Sequence, residues 1–215
     1  MSPRDVDWSL VFPVKRLALA KTRLGGVAGD RRGELALAFA LDTVAAAIAC
    51  DAVAAVFVVT DDEVARRPLA ALGAQVVPDA PDAGLNPALT HGATVALTRY
   101  PDHGVGALSA DLPALLSAEL GRALAAGARH PTAFVSDAAG TGTTLLVARP
   151  GELFAPQFGE RSRARHRAAG VVELDLADVP TVRRDVDTEV DLYDAERLGV
   201  GPRTAAVIAA VRSAR

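Results

Sequence analysis

The chain has little of several residue types, and each shortage excludes a class of protein. Cysteine occurs once in 215 residues, as Cys50, so there is no disulfide framework. No apolar run is long enough to span a bilayer before a charge interrupts it. The 23 basic residues are fewer than the 26 acidic ones, which argues against a general binder of nucleic acid or anionic membranes. We therefore expect a soluble, cytoplasmic protein whose partners are small molecules.

Lysine is also scarce, and its placement is informative. Only Lys15 and Lys21 occur, and both lie in the segment PVKRLALAKTRL, directly after the first strongly apolar run. A lysine ammonium group offers three freely rotating donors, which suit the crowded oxygens of a polyphosphate. The segment is therefore predicted to bind the phosphates of a nucleotide.

Apolar runs alternate with helical patterns along the chain. The predicted strands are residues 8–14, 53–60, 74–78, 104–110, 132–136, 143–148 and 171–174, with a short one at 181–184. The predicted helices are residues 30–50, 62–72, 87–99, 117–128, 162–169 and 188–198, with another after Pro202. This alternation predicts one α/β domain over residues 1–215, a Rossmann-like three-layer α/β/α sandwich with a mostly parallel sheet. Residues 1–7 and 213–215 are expected to be flexible ends.

Acidic residues follow two of the predicted strands. Asp111 comes after strand 104–110 and Asp185 after strand 181–184, at the edge of the sheet where Lys15 follows the first strand. Asp185 and Asp187 are two residues apart, which in an extended segment puts both on one face. Such carboxylates suit a magnesium ion bridged to nucleotide phosphates. Helix capping is the alternative for Asp111 or Asp187 taken alone.

Two further segments carry polar residues. The backbone amides of residues 140–143, in GTGT, are predicted to face an anion, with a flexible connection as the alternative. Gly159 and Ser162 open a short basic helix in FGERSRARHR, which suits a phosphate or carboxylate, with a solvated helix capped by Ser162 as the alternative. The four histidines have no metal-ligand spacing and are interpreted as structural or surface residues: His91, His103, His130 and His166.

Five motifs, in this order along the chain, resemble those of a known enzyme family. They are VFPVKRLALAKTRL, LSADLPAL, GTGTTLL, FGERSRARHR and RRDVDTEVDL, and the resemblance runs from about Trp8 to Pro202. The sequence resembles the CofC/FbiD family of coenzyme F420 biosynthesis, the phosphoenolpyruvate or 2-phospho-L-lactate guanylyltransferases, which belong to the MobA-like nucleotidyltransferases.

The resemblance implies a role for each polar position. The implied GTP-binding residues are Lys15, Lys21, Arg23 and Asn86. The implied catalytic residues are Lys15, Lys21, Arg23 and Asp111. The implied ligands of Mg²⁺ are Asp111, Asp185 and Asp187. The implied phosphoenolpyruvate-binding residues are Thr143, Gly159 and Ser162.

The implied reaction joins GMP from GTP to the phosphate of phosphoenolpyruvate and releases pyrophosphate. The product would pass to the next enzyme of coenzyme F420 biosynthesis. Three alternatives stay open at this stage: 2-phospho-L-lactate as the acceptor, a different MobA-like nucleotidyltransferase, and a nucleotide-binding regulatory protein without activity.

Overall fold

A computed structural model describes residues 6–14, 24, 31–80 and 82–213. The strands are β1 (Trp8–Pro13), β2 (Val53–Val59), β3 (Gln75–Val77), β4 (Gly104–Leu108), β5 (Thr132–Ser136), β6 (Thr143–Ala148) and β7 (Val172–Glu173). The helices are α1 (Arg32–Ile48), α2 (Glu63–Ala71), α3 (Leu85–Arg99), α4 (Ser117–Gly127), α5 (Ser162–Ala168), α6 (Pro180–Arg183), α7 (Glu189–Leu198) and α8 (Pro202–Ser213). None of these described helices combines the length and the apolar character needed to cross a membrane.

The described strands form one sheet in the order β3-β2-β1-β4-β6-β5-β7. Every neighbouring pair is parallel except those of β6, which runs antiparallel to both β4 and β5. The predicted α/β class with a mostly parallel sheet is confirmed. The chain leaves β1 towards β2 on one side and later returns to β4 on the other, which makes the β1/β4 boundary a topological switch point.

Apolar clusters lie on both faces of the sheet and produce the three layers. In β1, Leu10 and Phe12 face a cluster that includes residues of α1, α2 and α4, whereas Val11 faces a second cluster with α3. Burial on both faces explains why the strand reads as a continuous apolar run. Helix α3 packs closely because Gly92 has no side chain: a Cβ atom there would lie 2.6 Å from side-chain carbons of Val11 and Val59.

One predicted strand is wrong, and the helix that follows it begins with a capping box. Residues 180–183 form the short helix α6, with Pro180 at its start, instead of the predicted strand 181–184. Thr188 caps α7 through a capping box: its hydroxyl accepts from the amide of Asp191, and the Asp191 carboxylate accepts from the Thr188 amide at 2.8 Å.

Helix α8 is anchored to α1 by a buried carboxylate. Removal of this carboxylate is expected to destabilise the fold. Asp42 in α1 accepts hydrogen bonds from the main-chain amides of Arg203 at 3.3 Å and Thr204 at 2.8 Å. Asp42→Ala is expected to lower the free energy of unfolding by about 1–3 kcal/mol, because the first amides of α8 lose their acceptor. Urea unfolding measures the effect, with the exposed Asp51→Ala as control. Equal stability of the two variants would contradict this role.

Candidate active site

The reversed direction of β6 brings its first residue to the edge at which β4 and β5 end. Ser136, the last residue of β5, pairs with Thr143, the first residue of β6. The pairing of β4 with β6 is also antiparallel, so the end of β4 lies beside the start of β6. Asp111 follows β4 and Asp137 follows β5. Three polar residues from separate strands are therefore gathered at one edge of the sheet.

The main chain around Asp111 is held from two directions. The amide of Leu112 donates to the hydroxyl of Thr43 in α1 at 3.1 Å. The carbonyl of Asp111 accepts from the amide of Val186 at 3.0 Å. Val186 is fully buried and lies between Asp185 and Asp187. The hydrogen bond therefore joins the segment that carries Asp111 to the segment that carries these two aspartates.

Helix α6 positions the segment that carries Asp185. The buried Glu119 of α4 accepts from both the amide and the hydroxyl of Thr181, each at 2.7 Å. At the other end of α6, the Arg183 guanidinium donates to the carbonyl of Asp137 at 3.1 Å. The helix turn that replaces the predicted strand is thus tied to α4 and to the end of β5, and it delivers Asp185 to the same edge.

Asp185 lies among other carboxylates. Its pKa is raised from the ordinary 3.8 to about 7, mainly by burial and then by the charges of Asp111, Asp137 and Asp187, in that order. The structure therefore brings together the three aspartates predicted from the sequence. It adds Asp137, which sequence analysis missed.

The carboxylates at this edge of the sheet fit a cation that takes few protein ligands. Within the described ranges, no three or more His, Cys, Asp or Glu side chains are arranged to enclose a metal ion. Magnesium, however, is usually held by one or two carboxylates together with substrate phosphates and water. Asp111 and Asp185 come from separate segments, and their like charges lie close together. They therefore suit a magnesium ion that is held by two carboxylates and completed by phosphates and water.

The GTGT segment forms a turn around Asp137, which corrects one prediction. The Asp137 carboxylate accepts from the amide of Thr141 at 2.8 Å and from the amide of Gly142 at 2.7 Å. These two amides therefore face an internal carboxylate instead of a ligand anion. An Asp three residues before the GTGT segment is the sequence signal that could have revealed this arrangement.

A β-bulge turns Thr143 towards α5. Val135 pairs with Leu145 while Ser136 pairs with Thr143, so β6 carries an extra residue at this point. The Thr143 hydroxyl lies 2.9 Å from Nδ1 of His166, a buried residue of α5. The interpretation of His166 as structural or surface therefore missed a direct contact with a predicted site residue.

The start of α5 is linked to the GTGT turn. Arg163 donates from its amide to the carbonyl of Thr141 at 3.2 Å and from Nη1 to the carbonyl of Gly140 at 2.9 Å. Ser162 is the first residue of the helix and is 1% exposed. The position before it, where a cap would stand, is occupied by Arg161. Ser162 is therefore not the helix cap that the alternative interpretation required.

Left-handed backbone shapes the loop that enters α5. Gly159 has φ +109° and Arg161 has φ +55°, both in the region that favours glycine. A Cβ atom at position 159 would also lie 3.3 Å from Nη2 of Arg165. Glycine at 159 is thus required by the loop, whatever its contribution to ligand binding.

Asn86, a predicted GTP-binding residue, holds the same loop. Its Nδ2 donates to the carbonyl of Phe158 at 3.1 Å, and its Oδ1 accepts from the Phe158 amide at 2.7 Å. Arg165 adds a donor to that carbonyl at 3.0 Å. The side chain of Asn86 therefore ties α3 to the residue before Gly159.

The predicted phosphate-binding residues Lys15, Lys21 and Arg23 lie outside the described residues. Their neighbours Val14 and Leu24 are described, and both are buried. Leu24 belongs to an apolar cluster that also contains Val186.

The raised pKa of Asp185 leads to a prediction about the metal-free protein. The stability that Asp185 contributes in its neutral form is present at low pH and is lost as pH rises through about 7, because the unfolded carboxyl ionises near 3.8. Asp185→Asn is therefore expected to be about 1–4 kcal/mol more stable than the wild type at pH 8. The difference is expected to shrink towards pH 4.

Urea unfolding at pH 5 and pH 8 in a chelating buffer measures this difference. The exposed Asp175→Asn controls for the substitution itself. A difference between Asp185→Asn and wild type that stays constant or falls with rising pH would contradict the assigned environment.

Comparison with known proteins agrees with this geometry. A family profile described as "Guanylyl transferase CofC like" matches residues 8–205. The chain is 60% identical over 205 residues to the "Phosphoenolpyruvate guanylyltransferase" of Thermomonospora curvata, covering 95% of this chain and 90% of that protein. It is 62% identical over 205 residues to the protein of the same name from Streptomyces coelicolor, covering 95% and 97%.

A solved structure shares the fold. A chain from Desulfovibrio desulfuricans G20, provisionally described as a nucleotide-diphospho-sugar transferase, superimposes with a TM-score of 0.69 at 20% identity, covering 97% of this chain and 98% of that one. That likeness supports the architecture alone, whereas the profile and the two relatives identify the family. The chain belongs to the CofC-like family of guanylyl transferases.

Proposed function

We propose that this chain transfers the guanylyl group of GTP to the phosphate of phosphoenolpyruvate, giving enolpyruvyl-2-diphospho-5'-guanosine and pyrophosphate in coenzyme F420 biosynthesis. The observation that carries the proposal is the sheet edge shared by Asp111, Asp185 and Thr143. Carboxylates suit a metal-bound polyphosphate, and a hydroxyl suits an anionic acceptor. The 60% identity to a protein named phosphoenolpyruvate guanylyltransferase supports the same substrates.

The GTP triphosphate is bound by Lys15, Lys21 and Arg23 in this proposal. These residues follow β1, and β1 pairs with β4, which leads to Asp111. Leu24, next to Arg23, is buried in the same apolar cluster as Val186. Both connections support a triphosphate between the lysine segment and the aspartates. Asn86 is a further GTP-binding residue in this proposal, and its side chain also holds the loop that carries Gly159.

Asp111 and Asp185 hold Mg²⁺ in this proposal, and Asp187, the third ligand implied by the sequence, adds its negative charge beside Asp185. When bound, Mg²⁺ polarises the α-phosphate and neutralises charge on the departing pyrophosphate. The support is the cluster of carboxylates itself, since like charges held together in a partly buried site are stabilised by a cation.

The acceptor is oriented by Thr143, Ser162 and the backbone at Gly159. Its phosphate is already anionic at neutral pH, so one of its oxygens attacks the α-phosphorus of GTP without a general base. The new oxygen–phosphorus bond forms as the bond from the α-phosphorus to the bridging oxygen breaks, and the electron pair leaves with pyrophosphate. The lysine ammonium groups stabilise that leaving charge, so the residues act by alignment and electrostatics.

The substrates imply where the protein works. GTP and phosphoenolpyruvate are substrates expected in the cytoplasm, and the diphosphate product would be handed to the next enzyme of coenzyme F420 biosynthesis. The charge of the chain, −3, supports small anionic substrates bound at a local basic segment over binding to nucleic acid.

Removal of either metal-binding carboxylate is expected to abolish the reaction without unfolding the protein. Asp111→Asn and Asp185→Asn should each lower the rate of GTP-dependent pyrophosphate release by at least about 100-fold, because the amide is a weaker ligand for Mg²⁺. The exposed Asp102→Asn is the control. Near-normal turnover in either variant, with an unchanged fold by circular dichroism, would refute the metal assignment.

The acceptor is tested by the mass of the product. Purified protein is incubated with GTP, Mg²⁺ and either phosphoenolpyruvate or 2-phospho-L-lactate, and enolpyruvyl-2-diphospho-5'-guanosine is expected as the main product when both acceptors compete. A lactyl diphosphoguanosine as the main product would instead favour 2-phospho-L-lactate as the acceptor. Product with neither acceptor, but with another phosphorylated or sugar-phosphate substrate, would favour a different nucleotidyltransferase. Binding of GTP without any pyrophosphate release would favour a regulatory protein.

A further inference from the structure

His166 is fully buried in α5, and both of its ring nitrogens are hydrogen bonded. Its ring centroid lies 5.4 Å from that of Phe134 and 5.5 Å from that of Phe158. Nε2 lies 3.0 Å from the main-chain nitrogen of Gln157, and Nδ1 lies 2.9 Å from the hydroxyl oxygen of Thr143. The ring thus connects the loop before α5 to the first residue of β6.

The contact with Gln157 decides which nitrogen of His166 carries the hydrogen. A main-chain N–H can only donate, so Nε2 accepts and carries no hydrogen. A neutral imidazole then has its hydrogen on Nδ1. Nδ1 therefore donates, and the hydroxyl oxygen of Thr143 accepts.

This arrangement fixes the direction of the Thr143 hydroxyl hydrogen. The hydroxyl has one hydrogen and two lone pairs, and the hydrogen on Nδ1 of His166 occupies one lone pair. Its own hydrogen must point elsewhere, and no group in the described ranges accepts it. Because Thr143 lies at the edge that carries Asp111, this hydrogen can be donated to a bound anion.

We propose that His166 is a positioning residue: by donating from Nδ1, it keeps the hydroxyl of Thr143 as a hydrogen-bond donor to the anionic acceptor. This inference rests on the proposed function, in which Thr143 binds the phosphate or carboxylate of phosphoenolpyruvate. A Thr143 hydroxyl without this partner could turn its hydrogen away. It would then present only lone pairs to the anion, which repel it.

The neutral state of the ring supports this geometry. The pKa of His166 is lowered from 6.5 to about 4, mainly by burial and also by the positive charge of Arg165. The ring therefore stays neutral near pH 7, and Nε2 remains able to accept from Gln157. A charged ring would leave the Gln157 amide without its acceptor.

Three substitutions separate positioning from packing. The amide of His166→Asn lies near the place of Nδ1 and can donate to Thr143. The longer side chain of His166→Gln reaches the place of Nε2 and can accept from Gln157, but leaves Thr143 without a donor. Thr143→Val removes the hydroxyl and keeps the branched shape.

Steady-state kinetics with GTP and phosphoenolpyruvate test the proposal. His166→Gln and Thr143→Val are each expected to raise KM for phosphoenolpyruvate about tenfold or more, since each weakens a hydrogen bond to a charged group. Both should leave KM for GTP within about twofold of wild type. His166→Asn is expected to recover most of the lost affinity. In the Thr143→Val background, His166→Gln should have no further effect, because the hydroxyl it positions is absent.

Additive effects in this double-mutant cycle, or equal increases in KM for both substrates, would overturn the proposal. Thermal melting checks that each variant folds. If His166→Gln does not fold, ¹⁵N NMR of the histidine rings in wild-type protein still decides: hydrogen on Nδ1 supports the proposal, and hydrogen on Nε2 overturns it. Failure of the proposed function would be seen separately, as absence of product from wild-type protein with GTP and phosphoenolpyruvate.

Discussion

Repulsion between carboxylates is the constraint on which this edge of the sheet depends. Asp185 is partly buried near Asp111, Asp137 and Asp187, and its pKa is raised to about 7. Folding keeps these like charges together because the surrounding main chain is fixed, most directly by the hydrogen bond from the Val186 amide to the Asp111 carbonyl. Such an arrangement costs stability in the absence of a cation. In the proposed function, a metal-bound phosphate offsets this cost.

The direction of β6 makes the site two-sided. Strands β1 and β4 are parallel and lead to the lysine segment and to Asp111, the nucleotide side in the proposed function. Because β6 runs the other way, its first residue, Thr143, arrives at the same edge, where it binds the acceptor in the proposed function. A fully parallel sheet would have carried Thr143 to the opposite edge. In the proposed function, the reversed direction of β6 thus lets the acceptor approach the nucleotide along one edge of the sheet.

The acceptor side is held by buried polar contacts. Asn86 bonds both main-chain groups of Phe158, and His166 bonds the neighbouring amide of Gln157 and the hydroxyl of Thr143. Each buried polar group must be satisfied in a medium of low dielectric, so these bonds restrict the loop to few arrangements. The loop before α5 is thereby fixed to α3 on one side and to β6 on the other. Fixed donors align a charged acceptor with less reorganisation than mobile ones.

The sequence by itself determined the α/β class, most element boundaries and the approach of Asp111 to Asp185, because apolar periodicity and positions after strands are local signals. It also indicated the lysine segment, whose role stays a prediction. Only the tertiary structure decided that residues 180–183 form a helix, that the amides of the GTGT turn bind Asp137, and that His166 contacts Thr143. Each of these depends on a partner that folding supplies, such as Glu119 for Thr181, 62 residues away. The local sequence pattern carries no information about partners so far away along the chain. The hydrogen bonds that decide these local structures form only when the chain is packed.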